Sequence, residues 1–230
     1  MLTIEKLNQF HGESHTLWDL SLEVPAGTCT CVMGRNGVGK TTLLQCVMGL
    51  LTVTSGSVRF DGKAIDGMKP SERCRLGMGY VPQGRDIFPQ MTVEENLRLG
   101  LLGRSSQEDS ALELVFRIFP VLKTMLKRRG GDLSGGQQQQ LAIGRVLAIK
   151  PSLLILDEPE EGIQPNIVQH IAEIIERLTG EGMTVLVTSQ KLSFVKKVGS
   201  QFSILDKGRV VATGAIPKLN DDLVERYLTV

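Results

Sequence analysis

The chain has 230 residues, 41% of them apolar and 22% charged, enough to bury the core of one large domain or of a main domain with a small insertion. A net charge of +1 excludes an electrostatic footprint for nucleic acid, and 4% aromatic residues are too few for a base-stacking platform. The start, Met1–Lys6, lacks the basic and apolar regions of a secretory leader, so a cytosolic chain is expected. Residues 41–58 carry no charge, yet Thr41, Thr42, Gln45, Thr52, Thr54, Ser55 and Ser57 would leave many polar groups in lipid, which argues against a membrane span. Four cysteines fit a reduced compartment.

Residues 1–33 alternate apolar and polar in short runs, broken by turn signals at Gly12-Glu13-Ser14 and Pro25-Ala26-Gly27, and predict antiparallel strands. In the strand Thr28–Met33, Cys29 and Cys31 sit two apart and share a face, as small buried residues. The next eight residues, Gly34-Arg35-Asn36-Gly37-Val38-Gly39-Lys40-Thr41, fit G-x-x-x-x-G-K-[ST]. Three glycines let the backbone curl around an anion, with successive N–H groups pointing inward. The helix opening near Lys40, with Thr42 in its first turn and Cys46 on its core side, adds the positive end of its dipole. Strand, loop and helix together predict a site for the phosphates of a nucleotide with Mg²⁺. Lys40 reaches the β- and γ-phosphates, and the Thr41 hydroxyl holds the metal.

Gly56–Gly62 reads as a strand ending in a turn, Cys74 as partly exposed in an Arg-rich stretch, and Gly79–Gln83 as a strand stopped by proline. Residues 84–150 read as a mainly helical insertion. Thr92 and Glu95 form a capping box, a helix follows through Leu97 and Leu99, and Gly103–Ser110 is polar and loop-like. Leu112, Val115, Phe116 and Phe119 then repeat at helical spacing. Ser134 caps another helix with Gln137, and Gly135 and Gly136 leave its first amides open to a second phosphate. Leu153–Asp157 is apolar without alternation, a strand buried on both faces. Asp157 at its tip would hold Mg²⁺ opposite Thr41, and Glu158 would polarise an attacking water. A helix over Asn166–Leu178, a buried strand over Thr184–Thr188, a hairpin around Lys207-Gly208 and a helix over Pro217–Leu228 complete the chain. The fold class is α/β: a parallel-sheet core, an antiparallel sheet and a helical insertion.

With Gly34–Thr41, Gln83, Leu133–Gln137 and Leu153–Glu158 in this order, the chain resembles the nucleotide-binding subunit of ATP-binding-cassette transporters over essentially its whole length. The resemblance implies one ATPase domain over 1–230 that hydrolyses ATP to drive transport. It also implies two subunits facing head to tail, with each ATP between the Gly34–Thr41 loop of one and Ser134, Gly135, Gly136 and Gln137 of the other. Gln83 would sense the γ-phosphate, contribute to the Mg²⁺ site and border the docking surface for the permease subunits. His11 holds the place of an adenine-stacking aromatic, usually Tyr. A narrower similarity, to the branched-chain amino-acid importer branch and within it to the ATP-binding subunit of urea importers, rests on Gly34-Arg35-Asn36-Gly37, Tyr80–Arg85, Ile87-Phe88-Pro89, Arg128–Asp132 and Glu161–Pro165. It implies a heterodimer with a second ATPase subunit on the inner face of the plasma membrane, beneath permeases fed by a periplasmic binding protein. A non-transport cassette acting on ribosomes or DNA, and an exporter ATPase, are the alternatives.

Three departures stand out. Gln190 replaces the usual His, after an unusual Thr188-Ser189, and Gln164 replaces a common Asp. Glu160 replaces a Thr and is expected to crowd Glu158 and Glu161 beside Asp157, raising a carboxylate pKa. With Lys40, Glu158 and Gln190 as the catalytic set, these departures together lead to an expectation of slow hydrolysis by the isolated subunit; Gln190 cannot take up a proton near neutral pH but can donate a hydrogen bond to the γ-phosphate.

Overall fold

The computed structural model describes residues 1–101 and 108–228. Two sheets organise it. The first is antiparallel, in the order β2-β1-β4-β5: β1 (Leu2–His11), β2 (Ser14–Val24), β4 (Ser55–Phe60) and β5 (Lys63–Ala64). The second has the order β10-β9-β3-β8-β7-β6. Its strands β3 (Cys29–Met33), β6 (Met78–Val81), β7 (Leu153–Asp157), β8 (Thr184–Ser189) and β9 (Gln201–Asp206) run parallel. Only β10 (Arg209–Ala215) is antiparallel, joined to β9 through Lys207 and Gly208, both at positive φ as the hairpin signal required.

The central parallel strands of the second sheet are buried on both faces, and strand periodicity sends successive residues into different cores. Val32, Leu153, Ile155, Leu186 and Leu205 pack with α1 (Lys40–Met48) and the antiparallel sheet. Cys29, Cys31, Met33, Leu154, Leu156, Val185 and Val187 face a helical layer. That layer comprises α3 (Val93–Gly100), α4 (Glu108–Ile118), α5 (Pro120–Lys123), α6 (Gly135–Leu147), α7 (Pro165–Gly180) and α8 (Leu192–Val198), with α6 touching α3, α4, α5 and β6. Cys29 and Cys31 thus share a buried face, and all four cysteines are free thiols. No helix among the described residues is long and apolar enough to cross a membrane.

Local differences from the sequence reading have local causes. The expected helix over 217–228 is two pieces. Ile216–Lys218 makes one 3₁₀ turn, and the Asn220 side chain accepts the Leu223 N–H at 3.0 Å to start α9 (Asp221–Tyr227) afresh. Of the expected loop 103–110, residues 103–107 lie outside the described residues, and 108–110 already belong to α4. The Arg-rich stretch forms α2 (Pro70–Arg75), in which Cys74 is partly exposed as expected and Arg73 is buried. Its guanidinium donates to the carbonyls of Cys46 and Val47 at 2.8 and 2.7 Å, capping the C-terminus of α1.

Candidate functional site

The loop between β3 and α1 leaves the middle of the parallel sheet at the strands' carboxyl ends, where open α/β sheets bind ligands. Gly39 takes φ 109°, and a Cβ there would come within 2.8 Å of Leu17 Cδ2. Gly39 is also the N-cap of α1 and has no side chain to take the helix's first amides. The first turn holds no acidic residue either, so the positive end of the dipole opens onto the loop. A cavity of about 160 Å³ sits over it, lined by Thr16, Asn36, Gly37, Gly39, Lys40, Thr41, Thr42, Gln83 and Glu158. Wider clefts exist elsewhere, but this one combines open helix amides with a cation and a carboxylate.

Lys40 is buried, and its three donors are all engaged. Nζ donates to the carbonyls of Gly34 and Arg35 at 2.8 and 2.9 Å and pairs with Glu158 Oε1 at 3.0 Å. Gln190 closes the other side. Its Nε2 donates to Asn36 Oδ1 at 2.6 Å and lies 3.0 Å from each Glu158 oxygen. Glu158 itself has φ 43°, a left-handed conformation that side chains rarely adopt and that clusters at working sites. Its N–H donates to Thr188 Oγ1 at 3.0 Å.

Three consecutive residues at the end of β8 therefore hold three acids at the end of β7. Thr188 Oγ1 donates to Asp157 Oδ1 at 2.5 Å, Ser189 Oγ to Glu160 Oε1 at 2.5 Å, and Gln190 to Glu158. The parallel register, with Asp157 opposite Thr188, makes this possible. Burial is the main force raising the Asp157 carboxyl above its ordinary value. The Thr188 and Thr41 hydroxyls pull it back, Glu158 raises it, and Lys40 lowers it. Tyr80 Oη donates to Asp157 Oδ2 at 3.5 Å, and burial pushes its own phenol up. Asp157 is thus a buried carboxylate surrounded by hydroxyls, with Thr41 among them. Two hard oxygen donors of this kind fit Mg²⁺.

The crowding expected among Glu158, Glu160 and Glu161 does not occur. Glu158 faces the cavity, Glu160 turns inward to Ser189, and Glu161 turns outward to accept Gln83 Nε2 at 2.6 Å. Burial, not like charge, is the first cause of the raised Glu160 carboxyl, and the contribution of Glu158 is smaller.

Ser134–Gln137 lies apart and lines no part of this cavity. Its capping box forms as expected: Gln137 N–H donates to Ser134 Oγ at 3.3 Å, and Ser134 N–H to Gln137 Oε1 at 2.9 Å. The two glycines have a packing role that the sequence did not disclose. A Cβ on Gly136 would lie 2.9 Å from Ile167, and one on Gly135 3.1 Å from the Arg85 guanidinium. Arg85 itself links this helix to the loop after Glu158, donating to Gln138 Oε1 at 3.2 Å and to the Gly162 carbonyl at 3.3 Å. His11 ends β1 in solvent, opposite Ser14, and does not line the cavity. Beside it Phe10, His15 and Trp18 form a stack with ring centroids 4.0 and 3.6 Å apart, which strand pairing of Phe10 with His15 brings together.

The phosphate loop, the acids at the strand tips and the capped helix place the molecule among P-loop ATPases of the cassette type. The family profile described as ABC transporter matches residues 17–161, and the chain belongs to that family as an ATP-binding, ATP-hydrolysing subunit. A second profile, an AAA domain, matches the shorter span 131–195. The chain is similar to the high-affinity branched-chain amino acid transport ATP-binding protein BraG of Pseudomonas aeruginosa, 40% identical over 99% of each chain. The branched-chain amino acid transport ATP-binding protein LivF of Archaeoglobus fulgidus is 34% identical over 95% of this chain and 94% of its own. A solved cassette of an ABC transporter in its ADP conformation superposes with a TM-score of 0.84 at 28% identity, covering 98% of this chain and 97% of the other.

Proposed function

We propose that the chain powers uptake of a small solute, with Lys40, Glu158 and Gln190 as its catalytic set. A branched-chain amino acid is the first candidate, supported by the full-length similarity to a relative of that name. Urea is the second, supported by the motifs Tyr80–Arg85, Arg128–Asp132 and Glu161–Pro165. The observation that carries the ATPase part is the junction of Lys40, Glu158 and Gln190 over open helix amides.

Catalysis here is positioning and charge neutralisation. The loop amides and α1 hold the phosphates. Lys40 gives up the Gly34 and Arg35 carbonyls and Glu158 in exchange for phosphate oxygens. That exchange frees the Glu158 carboxylate to accept a hydrogen bond from water and aim it. Gln190 keeps donating, to Glu158 or to a phosphate oxygen, and cannot carry a proton. Thr41 and Asp157 would hold Mg²⁺, with Gln83 at the rim, and the bound ion supplies neutralisation of phosphate charge. Gly34–Thr42 form the cradle, and His11 stacks on the base. Ser134–Gln137, which line no part of this cavity, serve the ATP of a second subunit, in the cell a different ATPase chain. The pair lies on the inner face of the plasma membrane under permease subunits that a periplasmic binding protein feeds.

Two measurements test this. Co-purified with its membrane subunits, the chain is expected to show ATPase activity stimulated by leucine. Stimulation by urea alone selects the second candidate, and stimulation by neither overturns uptake of these solutes. Glu158→Gln is expected to keep Mg-ATP binding, followed through Trp18, the chain's single Trp, and to lose turnover about 100-fold. Retained turnover would move the water-orienting role elsewhere.

A further inference from the structure

The geometry points to Glu160 and Ser189 as a pair of positioning residues that sets the angle between Glu158 and Gln190. This rests on the reading of Glu158 as the residue that aims water. Glu160 and Ser189 are sequence oddities that the ATPase reading leaves unused, and they bond to each other. Ser189 Oγ donates to Glu160 Oε1 at 2.5 Å, with both side chains buried. Glu160 stands two residues after Glu158, and Ser189 immediately before Gln190. The bond therefore ties together the two loops that carry the partners of the Glu158–Gln190 contact. Lys191 adds to the tie. Its N–H donates to Ser189 Oγ at 3.0 Å, and its Nζ donates to the Glu160 carbonyl at 3.2 Å.

Stability does not account for this arrangement. Glu160 Oε2 is buried and finds no hydrogen-bond partner among the described residues, so the carboxyl is only half satisfied, which disfavours folding. What the bond does supply is rigidity next to the reacting groups. Glu158 sits in a left-handed conformation that its own residue type does not favour, so its neighbours must hold it there. Thr188 fixes its N–H from one side, and the Glu160–Ser189 bond anchors the loop two residues on. Loss of the anchor lets the carboxylate drift from Gln190, and a drift of about 1 Å at such a site lowers turnover by up to about 100-fold.

The test is steady-state ATP hydrolysis by the full chain carrying Glu160→Ala, Ser189→Ala, both together, or Glu160→Gln, with Glu158→Gln as reference. Both alanine variants are expected to lose kcat about tenfold while KM for ATP stays within about twofold, as for an interaction that matters in the transition state. The double variant is expected to be no slower than the worse single one, because both remove one bond. Glu160→Gln keeps the acceptor for Ser189 Oγ and is expected to restore most of kcat. Wild-type kcat in both alanine variants, multiplying losses in the double variant, or no rescue by Gln would overturn the pairing. If Glu160→Ala does not fold, Ser189→Ala and Glu160→Gln still decide it. Wild-type turnover in Glu158→Gln would instead sink the reading on which the pair depends, whereas inactivity there with fully active alanine variants sinks the pair alone.

Discussion

The chain has two helix starts that look alike as phosphate sites and are built differently. At α1 the cap is Gly39, no side chain covers the first amides, and a lysine, a carboxylate and an amide converge on the cavity. At α6 the cap is Ser134, whose hydroxyl takes the Gln137 N–H, and none of its four residues shares that cavity. Glycines occur at both, for different reasons. Gly39 permits a backbone turn that a side chain would block, while Gly136 makes room for Ile167 of α7. The first start is complete within this fold. The second is closed locally by its own capping box, and its proposed work on a second nucleotide depends on another subunit.

The comparison can be broken most sharply at Lys40. Lys40→Ala is expected to weaken Mg-ATP binding about 100-fold, the loss of charge-assisted hydrogen bonds to phosphate, as read from a Trp18 fluorescence titration. Unchanged binding would deprive α1 of its role. Ser134→Ala is expected to leave the binding constant of the isolated chain within about twofold while lowering turnover of the assembled pair about tenfold and the Tm by about 3 °C through the lost cap. A large change in the isolated chain's affinity would put both helix starts on one nucleotide.

The smallest expected effect concerns pH. Burial raises the Glu160 carboxyl, so the folded chain holds a proton that the unfolded chain has already released. Folding then takes up a proton, and stability falls as pH rises from the ordinary glutamate range through the raised one. Glu160→Gln removes that loss. Its Tm is expected to exceed wild type by about 2 °C at pH 8 and to converge with it near pH 4, measured by thermal unfolding. A constant offset would show that the proton has no part in it.

Much of the site could be read residue by residue because its chemistry is contiguous. Eight consecutive residues make the phosphate loop, and Asp157 and Glu158 follow four aliphatics that could only be a buried strand. Capping boxes at Thr92 and Ser134 were legible for the same reason: donor and acceptor are three residues apart. The misses had both local and long-range causes. Asn220 split the last helix through a local bond that the apolar spacing concealed. Nothing in the Arg-rich stretch marked Arg73 as the residue buried against carbonyls 26 and 27 residues away. The three glutamates adjacent in sequence were expected to repel, but the loop after β7 turns each one elsewhere.

What the sequence determined alone was the kind of ligand and the order of the parts, because anion-binding backbone geometry and buried strands are short-range properties of glycine spacing and hydrophobic run length. What only the tertiary structure decided was the pairing of acids with the Thr188-Ser189-Gln190 run. Strands β7 and β8 lie about thirty residues apart along the chain, and their register, set by core packing on both faces, settles which hydroxyl meets which carboxylate.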